Sequence, residues 1–148
     1  MAEMRVAIIG VGAMGCLFGA RLASFAQVKM LGTWREGVDA IVERGIIVDA
    51  VAGRQRVRIF ATTNVNEIGE CDLAIIARKA WQTAGAAQQA AQIIAPNGIG
   101  LTLQNGLGNL EQITKAIGAD RAALGVTTQG SSLVAPGHIR YAGGGPTH

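Results

Sequence analysis

Three glycines set directly behind one apolar run decide most of what this chain can become. Arg5-Val-Ala-Ile-Ile9 is short, apolar and β-branched, the pattern of a strand buried on both faces. Gly10-Val-Gly12-Ala-Met-Gly15 follows without a spacer, and the stretch 14–24 carries Leu17, Phe18, Ala20 and Leu22 at helical spacing. A G-x-G-x-x-G string alone is a weak signal in a chain with 21 glycines. Between a strand and a helix it has a mechanism. Gly10 permits a tight turn, Gly12 lets a phosphate approach the backbone, and Gly15 lets the helix lie close to the strand. The helix N-terminus then presents free N–H groups and a partial positive charge to a pyrophosphate. Gly10, Val11, Gly12, Ala13, Met14 and Gly15 are therefore the candidate phosphate cradle, with the Met14 and Cys16 side chains read as packing. The competing reading is a glycine-rich surface turn.

The rest of the chain alternates in the same way. Residues 28–31 read as a second strand, followed by a helix over about 36–43 that ends at Gly45. Residues 46–61 read as two strands around Ala52-Gly53-Arg54, with Val57, Ile59 and Ala61 alternating against Arg56, Arg58 and Phe60. Residues 72–76 form the next strand candidate. An Ala/Gln helix over about 83–94 follows, stopped by Pro96-Asn97-Gly98. A strand over 99–103, a helix over 109–117, a strand over 122–128 and one edge of a final hairpin over 137–141 complete the series. The alternation predicts an α/β fold of Rossmann type, a doubly wound, mostly parallel sheet with helices on both faces. A length of 148 residues suits one domain, 1–148.

Composition narrows the function. The chain is 49% hydrophobic and 16% charged, which favours a filled core over disorder. Its net charge of +3 is scattered over single Arg and Lys residues with no run of five like charges. That excludes a nucleic-acid stripe and suits a small anionic ligand. Cys16 and Cys71 sit in apolar settings without metal-ligand spacing, so both are read as reduced core thiols and no metal site is expected. The uncharged stretch from Val6 to Ala20 superficially resembles a signal-peptide core. Its four glycines fit the strand-turn-helix instead, and Arg21 closes it short of the ~18 residues a membrane span requires. No membrane association is expected, and the location is read as cytoplasmic.

The residue that meets an adenosine ribose should lie at the end of the second strand, about 20 positions past the fingerprint. There the chain offers Gly32-Thr33-Trp34-Arg35 rather than an acid. Arg35 is an always-charged planar fork suited to a 2′-phosphate, Thr33 adds a hydroxyl, and Trp34 or Arg35 can stack on adenine. This points to NADP(H). The competing readings are a solvated Arg35, or Glu36 on the ribose with NAD as cofactor. Two further loops leave the carboxyl ends of predicted parallel strands, where open α/β sheets bind ligands. They are Arg78-Lys79-Ala80-Trp81-Gln82 and Gln104-Asn105-Gly106-Leu107-Gly108-Asn109. Lys79 can neutralise a carboxylate or phosphate, and Asn105 can donate and accept beside a nicotinamide or carbonyl. Singly they read as a solvated lysine and a turn residue. Together, at adjacent strand ends, they are candidate catalytic and cofactor-side residues.

These motifs in this order resemble the ketopantoate reductases (2-dehydropantoate 2-reductases). The resemblance is carried by Ile8-Ile-Gly-Val-Gly-Ala-Met-Gly15, Gly32-Thr-Trp-Arg35, Lys79-Ala-Trp-Gln82 and Leu103-Gln-Asn-Gly-Leu-Gly-Asn109. Leu124-Gly-Val-Thr-Thr128 and Gly137-His-Ile-Arg-Tyr141 extend it over almost the whole chain. It implies NADPH-dependent reduction of 2-dehydropantoate to pantoate, a step toward pantothenate and coenzyme A. Carried over, Gly10, Gly12 and Gly15 take the pyrophosphate, Arg35 takes the 2′-phosphate, and Lys79 and Asn105 lie at the nicotinamide and substrate end.

The chain also departs from that family. Its members carry a helical C-terminal domain with the principal catalytic lysine and a substrate-gripping carboxylate, and neither has a match before His148. A fragment and a dedicated cofactor-binding module both fit, and the isolated chain is expected to be inactive. The implied partner is a small 2-oxo acid, with a homodimer kept open as the assembly. His138 is expected to be structural. Two rivals remain: the cofactor domain of another hydroxyacid or 6-phosphogluconate-type dehydrogenase, and a nucleotide-sensing Rossmann module. The sensor usually carries an acid where this chain has Arg35.

Overall fold

Most of the apolar runs become strands of one parallel sheet. The computed structural model describes residues 3–78, 82–103 and 108–148. Its elements are β1 (Arg5–Ile9), α1 (Ala13–Leu22), β2 (Gln27–Leu31), α2 (Arg35–Arg44), β3 (Ile46–Ala50), β4 (Gly53–Val57) and β5 (Phe60–Thr62). There follow β6 (Cys71–Ile76), α3 (Thr83–Ile93), β7 (Ile94–Thr102), α4 (Asn109–Ile117), β8 (Ala122–Leu124), β9 (Gly130–Ala135) and β10 (His138–Gly143).

The main sheet has six strands in the order β5-β2-β1-β6-β7-β8, every pair parallel. The chain winds outward from β1 through β2 to β5, then returns to the other side of β1 at β6. That reversal creates a crevice beyond the carboxyl ends of β1 and β6. Period-2 alternation sends β1 into two cores. Val6 and Ile8 face α1 and α2 with Cys16, Leu17, Val38 and Ile41. Ala7 and Ile9 face α3 and α4 with Ala86, Ala87, Ala90 and Ile113. Ile8 and Ile9 are fully buried, and each stabilises by about 1.5–3 kcal/mol. The three buried alanines of α3 have no bulk to hold it off the sheet.

A second sheet has no counterpart in the sequence reading. Its order is β4-β3-β10-β9, with β10 parallel to β3 and antiparallel to β9. It packs on the outer side of α1 through Ile46, Val48 and Ile139, all buried. The expected final hairpin is present, with β10 as one of its strands against β9, and β10 pairs on its other side with β3. The 46–61 segment also differs from expectation. β4 stops at Val57 and β5 joins the main sheet beside β2. From Gly53 to Arg56 every residue is exposed, so no buried face marks that strand.

Two boundaries depart from the sequence expectation. Pro96-Asn97-Gly98 lies inside β7, where the pairing with β6 jumps from Cys71↔Ile94 to Leu73↔Ile99. Proline has no N–H to give a ladder, and this irregularity carries it. The strand expected over 122–128 ends at Leu124, after which Val126 exchanges backbone hydrogen bonds with His148 at 2.6 and 2.7 Å. Cys16 and Cys71 are free, buried thiols, and burial pushes them up to about 12 and about 11. Among the described residues, no helix is long and apolar enough to cross a membrane.

Asp49 knits the second sheet together. Its carboxylate accepts from Arg54 Nε at 2.7 Å on β4 and meets His138 Nε2 at 2.6 Å on β10. His138 thus plays the structural part expected of it. Hydrogen bonds from Arg54 and then His138 hold the Asp49 carboxyl at about 2. That lies below the unfolded carboxylate value, so the contribution is complete above about pH 4 and is lost as pH falls through 2. Urea unfolding should therefore show Asp49→Asn less stable than the parent at pH 6, with the difference narrowing between pH 4 and 2. A difference that stays constant over that window would rule this out.

Candidate functional site

The crevice is a cavity of about 660 Å³. Gly10 to Met14 and Phe18 form one wall, Gly32, Thr33 and Trp34 a second, and Ala77, Arg78, Gln82 and Leu103 a third. Thr127, Gln129 and Ser131 close it from the side of β9.

The phosphate turn has the geometry its glycines foretell. Gly10 has φ +133°, and a Cβ there would stand 2.6 Å from the Ala77 carbonyl oxygen. Gly10 N donates to Leu31 O at 2.8 Å and Ala77 N donates to Ile9 O at 2.9 Å, so both neighbouring strands hold the turn. At Gly15 a Cβ would fall 2.1 Å from Gly10 O, which leaves no room for any side chain. Gly12 is the opposite case: a Cβ there would meet nothing within 4 Å. Gly12 caps α1 without a side-chain bond, and no acid stands in the first turn. The first N–H groups of α1 thus face the cavity without a capping side chain.

The second wall is pressed against the first. A Cβ on Gly32 would lie 2.7 Å from Val11 Cγ2. Trp34, 37% exposed, rests its indole on Gly37, where a Cβ would come within 2.5 Å of Cε3. Thr33 and Trp34 line the cavity, whereas Arg35 does not; it is the exposed first residue of α2, with Glu36 exposed beside it. Arg35 makes no hydrogen bond or ion pair among the described residues, which leaves its fork available.

Lys79 and Asn105 lie outside the described residues. The described residues that flank them, Arg78, Gln82 and Leu103, line the cavity.

Sequence reasoning missed the far wall. Thr127 and Gln129 come from the segment that leads into β9, where the Gln129 N–H donates to the Thr127 hydroxyl at 3.1 Å, and Ser131 comes from β9 itself. The available signal was the polar run Thr127-Thr-Gln-Gly-Ser-Ser132. Gln129 is fixed by Tyr141, whose hydroxyl donates to Oε1 at 2.6 Å, and its amide donates to Gly145 O. The Tyr141 ring in turn carries the Arg21 guanidinium 4.5 Å from its centroid.

Two buried polar atoms in this cavity have no partner among the described residues: Arg78 Nη2 and Ser131 Oγ. An unpaired buried donor costs about 1–3 kcal/mol, more when charged. Two such groups around one space, beside an open cradle of N–H donors, fit an anionic, oxygen-rich ligand.

A sequence profile described as Ketopantoate reductase PanE/ApbA matches residues 6–148. The chain belongs to the ketopantoate reductase family. Within it, a 2-dehydropantoate 2-reductase of Halobacterium salinarum is 36% identical over 146 residues, which cover 97% of this chain and 48% of that protein. Among solved structures, 2-dehydropantoate 2-reductase from Geobacter metallireducens GS-15 superposes with TM-score 0.87 at 31% identity. That match covers 97% of this chain and 48% of the other. D-mandelate dehydrogenase, solved with NADH and anilino(oxo)acetate, gives TM-score 0.88 at 29% identity over 95% of this chain and 46% of its own. The chain spans about half the length of these ketopantoate reductase relatives.

The two glycines of the turn should respond oppositely to one methyl group. Gly15→Ala drives a Cβ into a backbone oxygen and should cost about 1–3 kcal/mol in urea unfolding. Gly12→Ala should cost under about 1 kcal/mol, the ordinary difference between Gly and Ala at a helix N-cap. Equal losses at both positions would contradict the packing described.

Proposed function

We propose that this chain is the NADP(H)-binding part of an enzyme that reduces 2-dehydropantoate to pantoate in cytoplasmic pantothenate and coenzyme A synthesis. The observation that carries the reading is the open cradle at Gly12, set in a cavity with two unpartnered buried polar groups. When bound, the nicotinamide cofactor supplies the hydride. The chain's own residues bind and orient. Backbone N–H groups over Gly12 to Met14 hold the pyrophosphate, Gly10 makes the tight turn that presents them, and Gly15 keeps α1 close enough for its N-terminus to serve. Thr33 and Arg35 take the ribose hydroxyl and the 2′-phosphate. Lys79 and Asn105 serve the nicotinamide and substrate end.

A second reading is favoured by one observation. D-mandelate dehydrogenase, of closely similar fold, was solved with NADH, and Glu36 stands exposed beside Arg35. With Glu36 on the ribose, the cofactor is NAD and the substrate another 2-oxo acid.

Fluorescence titration separates the two. Under the first reading NADPH binds at least about tenfold tighter than NADH, a difference of about 1.4 kcal/mol. Arg35→Ala erases most of that gap and leaves NADH binding nearly unchanged. Equal affinities in the parent chain would move the assignment to NAD.

Reduction of a ketone also needs an acid to protonate the forming alkoxide. In the family's pattern that acid is a lysine beyond position 148, and Lys79 is the one stand-in within these residues. An ordinary lysine, near pKa ~10.4, is a sluggish acid. The 148 residues alone should therefore oxidise NADPH with 2-dehydropantoate only slowly, and adding the separately expressed helical half of a relative should raise the rate. Robust turnover by the isolated chain would instead assign the acid role to Lys79.

A further inference from the structure

Arg78 is the one charged residue among those described that line the cavity. It follows Ala77 at the carboxyl end of β6, and its stem lies directly on the phosphate turn. Its Cγ is 3.4 Å from the position a Cβ on Gly10 would take. Nη2 is shut off from solvent and has no partner among the described residues. Burial pushes the guanidinium pKa down, yet a guanidinium keeps its charge in a protein. A fixed positive charge held over an anion cradle, with a donor unspent, is a binding group awaiting its acceptor.

We propose that Arg78 is a second anion clamp of this site, taking a pyrophosphate oxygen of the bound dinucleotide from the β6 side. The backbone N–H groups of Gly12 to Met14 take the same group from the α1 side. The inference rests on the dinucleotide reading above and adds a residue to it. Position decides which anion is meant. β2 and β6 flank β1 on opposite sides, so Arg35 and Arg78 stand on opposite sides of the turn. Arg35 is placed for the ribose end, whereas the Arg78 stem is seated on Gly10 itself. Ser131 Oγ, equally buried and unpartnered, makes the same space polar from the β9 side.

A pyrophosphate contact is blind to the 2′-phosphate, and that sets the test. Calorimetry on the 148-residue chain uses NADPH, NADH, ADP and adenosine 2′-monophosphate as probes. Arg78→Gln should weaken NADPH, NADH and ADP each by about tenfold or more and leave adenosine 2′-monophosphate unchanged. Arg78→Lys, which keeps the charge without the fork, should recover part of the loss. Unliganded Arg78→Gln should melt no lower than the parent, because it removes a half-buried guanidinium whose buried Nη2 has no partner among the described residues. Loss confined to NADPH and adenosine 2′-monophosphate would put Arg78 on the 2′-phosphate and overturn the proposal. Unchanged nucleotide binding with lost affinity for 2-dehydropantoate would put it on the substrate carboxylate and overturn the proposal equally. Gly12→Val is the control for the underlying reading. If it abolishes dinucleotide binding while Arg78→Gln changes nothing, the cradle stands and the Arg78 assignment alone falls. A parent chain that binds no dinucleotide overturns both.

Discussion

Where α1 meets the end of β1 there is no space for a methyl group, and the site depends on that contact. The missing Cβ of Gly15 lets the helix start against the Gly10 carbonyl. The helix N-terminus thereby reaches the rim of the sheet instead of standing a side chain's width away. Everything around the cavity is set out from this point. β2 presses Gly32 onto Val11, β6 lays Arg78 over Gly10, and α1 carries the second sheet on its back. Burial of Val6, Ile8, Ala7 and Ile9 on the two faces of β1 makes the arrangement rigid. A phosphate cradle is useful only if it keeps its shape when empty, and close packing provides that.

Family membership gains physical content from the same features. Relatives of about twice this length share the arrangement closely, at TM-scores of 0.87 and 0.88. What they share with these residues is a sheet whose order reverses beside β1. A reversal of this kind opens a crevice regardless of chemistry, which is why one scaffold serves proteins named for different 2-oxo and 2-hydroxy acids.

The main sheet is legible in the sequence because its determinants are local. Arg5–Ile9 and Asn109–Ile117 form over the residues their patterns mark, since β-branched runs and 3.6-residue spacing need no distant partner. Of the turn's glycines only Gly15 answers a steric demand from close by, at Gly10, whereas Gly10 meets the distant Ala77 and Gly12 meets nothing. The turn is legible because they form one contiguous string between a strand and a helix. Non-local features are not. Gly53 to Arg56 lacks a buried face because both of its sides meet solvent, and the β3–β10 pairing joins segments with no common signature. Pro96 reads as a stop on its missing N–H, although an irregular pairing spares the ladder that cost. Arg78 stands in plain view in the sequence, but nothing in a lone arginine after a strand tells that a nitrogen will be buried without a partner.

The parallel pairing of β10 with β3 bears on how the molecule comes into being. Asp49 and His138 are 89 residues apart along the chain. During synthesis β1, α1 and β2 can associate from neighbouring sequence and β3 can pair with β4, whereas the other edge of β3 waits for β10, which emerges much later. Non-local strand pairing is slow because loop closure comes before any contact rewards it. Ser131 of the far wall sits on that late hairpin, and Thr127 and Gln129 lead into it. The cavity is therefore among the last features completed, and an occupied site reports a chain that has finished folding.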